Sequence, residues 1–117
     1  MTEVEKIRLA LVDKLLTMTM PLPEVTRQLS ALSWDYDGVG VTLTKEHLSS
    51  SLLRYLRGAL SEADIEMWAN QVEGREDIQI DPNFDQVIDG VLFELANPIL
   101  TQTLDPARAK ELLSTLN

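Results

Sequence analysis

Cysteine is absent from this chain of 117 residues, so neither a disulfide framework nor a thiolate zinc site can form. That absence fits a reducing compartment, and a cytoplasmic location is expected. Histidine occurs once, at His47, on the expected solvent side of its helix with Ser50 and Arg54. With no cysteine to pair with it, no Cys–His nucleophile is available. No apolar run approaches the roughly 18 residues of a membrane span. Residues Met1–Lys6 lack a basic region leading into an apolar stretch, so no secretory leader is read there. Basic residues are scarce. Ten Lys and Arg against nineteen Asp and Glu leave a net charge of −9, which repels phosphates and argues against nucleic-acid binding. There is no phosphate-binding glycine–lysine loop and no GxGxxG. The run Ser49-Ser50-Ser51 lacks the glycine-flanked strand–turn–helix setting of a nucleophilic serine. No enzymatic activity and no cofactor are expected.

What is present reads as a mainly α protein, a single helical domain over residues 1–117. Its 44% apolar and 25% charged content sits at globular averages. Five to six helices are expected around a central one at 83–96. There Phe84, Val87, Ile88, Val91, Leu92 and Leu95 recur at i, i+3, i+4, i+7, i+8 and i+11, making one apolar stripe. Phe93 points opposite that stripe, which favours a helix packed on both sides over an exposed aromatic anchor.

The other helices are marked by their ends. Thr2 and Glu5 have capping-box spacing for a helix to about Thr17, stopped by Pro21 and Pro23. A shorter helix is expected over about Pro23–Leu32. Thr44 caps a helix over Lys45–Arg57, and Ser61 with Asp64 caps another over Glu62–Glu73. Gly58 and Gly74 stop these two in the left-handed conformation. Asp81-Pro82 and Asp105-Pro106 are cap-plus-proline starts, the second for a helix to about Leu116. The first helix also carries a second apolar face, Leu9, Val12 and Leu16. Burial within the monomer is favoured for it, and a homodimer through it is the alternative. Residues 33–43 alternate instead. Trp34 and Tyr36, then the turn signal Asp37-Gly38, then Val39, Val41 and Leu43 predict a small β-hairpin, with Gly40 weakening its second arm. Ile78-Gln79-Ile80 is a candidate third strand.

The charge is concentrated. Residues 61–94 hold Glu62, Asp64, Glu66, Glu73, Glu76, Asp77, Asp81, Asp85, Asp89 and Glu94 against Arg75 alone, and the remainder of the chain sums to zero. A chain needing only solubility would intersperse lysines. Glu62, Glu66, Asn70, Glu73, Asp85 and Asp89 are the candidate partner-binding residues, for a basic protein. A carboxylate metal site on Asp81, Asp85 and Asp89 is the rival reading. Its weakness is that Asp81 serves as a cap, Asp85 suits the helix N-terminus and Asp89 is a solvated acid. Asp35-Tyr36-Asp37-Gly38 has the wrong glycine register for a calcium loop.

The stretches Ala59–Ile65, Trp68-Ala69-Asn70, Glu73–Ile78 and Phe93–Pro98 resemble those of small, acidic, uncharacterised bacterial proteins. This resemblance spans about residues 44–116 and implies no activity. In size, acidity and helical content the chain also resembles, in type, immunity proteins, which neutralise partner toxins in bacteria. That resemblance implies a basic toxin as partner and assigns no contact residue. The expectation is therefore an acidic protein-binding module of immunity type. The alternatives are a carboxylate metal protein or enzyme, and a purely structural homodimerising domain.

Overall fold

In a computed structural model, which describes residues 2–32 and 36–117, six helices and two short strands follow one another. They are α1 (Glu3–Thr17), α2 (Leu22–Ser30), β1 (Val41–Leu43), α3 (Lys45–Leu56), α4 (Glu62–Val72), β2 (Ile78–Ile80), α5 (Asp85–Ala96) and α6 (Pro106–Leu116).

Most helix ends are made by the local chemistry of their caps. The hydroxyls of Thr2, Thr44 and Ser61 accept the amide hydrogens of Glu5, His47 and Asp64, and the Asp105 carboxylate accepts that of Arg108. Gly58 and Gly74 take φ values of 82° and 80°, open to glycine without strain. The start of α5 differs from expectation. The Asp81 carboxylate accepts the Asn83 amide at 3.0 Å and its carbonyl accepts the Phe84 amide at 3.1 Å, so Pro82 and Asn83 form a turn. The helix begins after it. Phe84 is thereby lifted out of the apolar stripe, and its exposed ring lies 3.8 Å from the Lys45 ammonium.

The hairpin expected over 33–43 is replaced by another pairing. A type I′ turn needs positive φ at both central residues. Among the described residues only Met18, Gly58 and Gly74 have it, so Asp37-Gly38 does not make that turn. Val41–Leu43 instead pairs in parallel with Ile78–Ile80, Val41 opposite Ile78 and Leu43 opposite Ile80. Of the expected first arm, residues 33–35 lie outside the described set. Gly40 has a different purpose from the one its position suggested. A Cβ there would stand 2.5 Å from the Asp77 carbonyl oxygen, so only glycine permits this approach.

The core is apolar and shared between α1 and α5. Leu11, Val12, Leu15 and Leu16 of α1 meet Leu48, Leu52, Ile65, Trp68, Ile88 and Leu112 in one buried cluster. The buried Trp68 indole donates to the Leu15 carbonyl at 2.8 Å, tying α4 to α1. Of the Leu9, Val12 and Leu16 face read as a possible homodimer surface, Val12 and Leu16 are buried within the chain's own core and Leu9 is half-buried. Helix α5 packs on α3, α4, α6 and β2, a hub open on one side. Phe93 stands on that open side, 46% exposed, rather than packed between helices.

Candidate protein-interaction surface

Of the ten acids in residues 61–94, two are neutralised inside the structure. Arg108 grips Glu94 with two hydrogen bonds of 2.7 Å, which raise the pKa of the guanidinium. Asp77, 2% exposed, receives Arg75 through two bonds of 2.8 Å and the buried Arg8 through one of 3.0 Å. Burial pushes the Asp77 carboxyl up, but the hydrogen bonds and charges of Arg75 and Arg8 outweigh it and hold it below the usual carboxylate range. The Arg8 guanidinium also lies 5.5 Å from the centre of the Tyr36 ring. This buried cluster joins α1 to the loop after α4, and no periodicity in the sequence announces it.

The remaining acids, Glu62, Asp64, Glu66, Glu73, Glu76, Asp81, Asp85 and Asp89, form no ion pair among the described residues. On α4, Glu62 and Glu66 border a small crevice with Glu94, Pro98 and Gln102. Glu73 meets the Asn97 side chain at 3.5 Å, and that side chain also donates to the Phe93 carbonyl at 2.9 Å. The flank carrying Glu62, Glu66, Asn70 and Glu73 thus runs beside the end of α5 and the segment after it. On the solvent face of α5, Asp85, Asp89 and Phe93 follow at i, i+4 and i+8. Through Asn97, the Phe93 end of this row meets the α4 flank. Just beyond α5, Ile99 and Leu100 are 97% and 74% exposed. Three large apolar side chains are therefore exposed on or just beyond the helix that carries Asp85 and Asp89; periodicity favours burial of Phe93, and the sequence assigns no role to Ile99 and Leu100. The metal reading gains no geometry: no group of three or more His, Asp or Glu side chains gathers to hold an ion among the described residues.

His47 is not a plain surface residue either. Its Nδ1 accepts the Thr44 amide at 3.0 Å while Thr44 accepts the His47 amide, a reciprocal cap on α3. Burial lowers the His47 pKa against the opposing pull of Asp13 and Glu46.

A second feature is a cleft. Helices α2 and α4 both pack on α1, yet α2 makes at most marginal contact with α4. Between them an apolar cavity of about 400 Å³ is lined by Met18, Met20, Leu22, Leu60 and Trp68. It continues past Leu22 and Pro23 to Thr26, Met67 and Gln71. It meets a recess of about 420 Å³ lined by Arg8, Leu29, Leu32, Asn70, Glu73, Arg75 and Glu76 among others.

Fold and surface together define a mainly helical protein with a two-stranded parallel sheet, an acidic face and an open interhelical cleft. No helix of the described residues is long and apolar enough to cross a membrane. No protein-family model matches the chain, and no curated protein or solved structure matches it either.

Proposed function

We propose that this chain is an acidic protein-binding module of the bacterial cytoplasm, an immunity-type inhibitor that captures a basic protein. The observation that carries the reading is the mixed surface around Phe93. Phe93, Ile99 and Leu100 are exposed on and just beyond α5, the helix that also carries Asp85 and Asp89 without ion-pair partners among the described residues, so charge can steer a basic partner and apolar anchors can hold it. A basic nuclease is the kind of target such a surface suits, because the acids would occupy sites built for phosphates. The test is a pull-down from bacterial lysate with the wild type and with E62K/E66K/D85K/D89K. Partners lost on charge reversal, and released as salt rises, support the reading. The same partners at the same yield with both proteins would overturn it.

A further inference from the structure

We propose that the outer edge of β2 accepts an extended segment of a basic partner, which joins the sheet as a third strand. The inference rests on the reading of a basic protein partner and adds the backbone groups that hold it.

The parallel ladder decides which backbone groups are used. The Val41 amide donates to the Asp77 carbonyl at 2.9 Å and the Asp81 amide to the Leu43 carbonyl at 3.1 Å, with Val41 opposite Ile78 and Leu43 opposite Ile80. In this register Gln79 turns its amide and carbonyl to β1, and those of Ile78 and Ile80 face the other edge. No hydrogen bond among the described residues reaches these four groups. Backbone groups sealed from water without a partner are costly, so this edge is open to water or to an added strand. Its position agrees: Glu76 and Gln79 are exposed, and Ile78 and Ile80 are half-buried. A sheet of two three-residue strands is marginal by itself, and an unpaired edge is a template for another strand. Strand addition supplies main-chain hydrogen bonds, and the flanking side chains choose the partner.

Those flanks are acidic. Glu76 precedes β2, Asp81 and Asp85 follow it, and none of the three forms an ion pair among the described residues. The cations nearby are engaged: Arg75 and the buried Arg8 with Asp77, and Lys45 with the Phe84 ring. An extended segment with lysine or arginine at both ends therefore suits the edge. A second copy does not. Edge-to-edge pairing centred on Gln79 would bring Glu76 of one copy to the Asp81 end of the other, between molecules each at −9.

The experiment titrates the protein with a capped seven-residue peptide alternating lysine and valine, followed by NMR amide exchange at physiological salt. The control is the same peptide N-methylated at its three central residues, which keeps the charge and cannot pair along either edge. In the free protein the Ile78 and Ile80 amides should exchange faster than the Gln79 amide. The unmethylated peptide should slow both, and methylation should weaken binding by about tenfold or more. Protected Ile78 and Ile80 amides in the free monomer, equal binding of the two peptides, or binding of neither overturns the inference. If both peptides bind equally and E62K/E66K/D85K/D89K loses both, the acidic face stands without strand addition. If that variant instead binds both as the wild type does, the basic-partner reading falls as well. Sedimentation showing a dimer whose formation protects Ile78 and Ile80 would assign the edge to a second copy and likewise overturn the inference.

Discussion

At the scale of single residues, two glycines make opposite predictions. Gly40 lies against the Asp77 carbonyl, where a Cβ would intrude at 2.5 Å onto backbone, so Gly40→Ala must push β1 away from β2. Gly90 sits within α5 with nothing within 4 Å of an added Cβ. Gly90→Ala should therefore stabilise the protein by about 0.5–1 kcal/mol, the usual entropic cost of a helical glycine. Urea denaturation of both variants checks this, and a Gly40→Ala protein as stable as wild type would refute the close approach. Asp77 is the other decisive residue. Its pKa is held below the ordinary 3.8, so its contribution is complete above that pH and is lost as acid protonates it in the fold. Breaking a buried ion pair by removing one partner typically costs about 3–5 kcal/mol. Asp77→Asn should lose stability of that order at pH 7 and show a flatter stability profile below pH 4 than the wild type. Equal acid profiles for the two proteins would refute the role.

At the scale of elements, the entry to α3 carries a titratable cap. Nδ1 of His47 accepts the Thr44 amide only while the imidazole is neutral. Burial lowers its pKa below the ordinary 6.5, so the unfolded chain takes up the proton first. Stability from this cap is complete above pH 6.5 and declines as pH falls toward the folded-state value. His47→Ala should cost about 0.5–2 kcal/mol at pH 7.5, the range of a lost N-terminal cap. It should also remove the wild type's decline as pH falls below 6.5. Hydrogen exchange of the first turn of α3 gives a local readout, and unchanged protection on acidification would exclude the neutral cap.

At the scale of the whole molecule, the −9 charge is carried by acids that the fold leaves uncompensated, since Asp77 and Glu94 already hold the arginines near them. Self-repulsion of this kind opposes folding and is screened by salt. The Debye length falls from about 30 Å at 0.01 M to about 3 Å at 1 M. Raising sodium chloride over that range should raise Tm by several degrees, measured by calorimetry. A Tm that stays level or falls would mean that ion pairing, not repulsion, dominates the surface.

The sequence alone determined what depends on contacts within a turn or two of chain. The caps at Thr2, Thr44, Ser61 and Asp105, the stops at Gly58 and Gly74 and the buried stripe Ile88–Val91–Leu95 were all legible, because their partners lie three or four residues away. Of the candidate site, the positions of Glu62, Glu66, Asn70 and Glu73 on one α4 flank followed from helical period. Their neighbours did not. Whether Phe93 is covered depends on which helices reach α5, and Asp81 and Asp77 look alike as letters although one caps a turn and the other is buried between arginines. Strand pairing shows the limit most plainly. Asp37-Gly38 is a local signal for a hairpin, yet Val41–Leu43 took its partner from beyond two intervening helices, and Arg8 found Asp77 across 69 residues. Only the tertiary structure decides such contacts, because their energy depends on desolvation and close approach between segments that chain-local spacing does not relate.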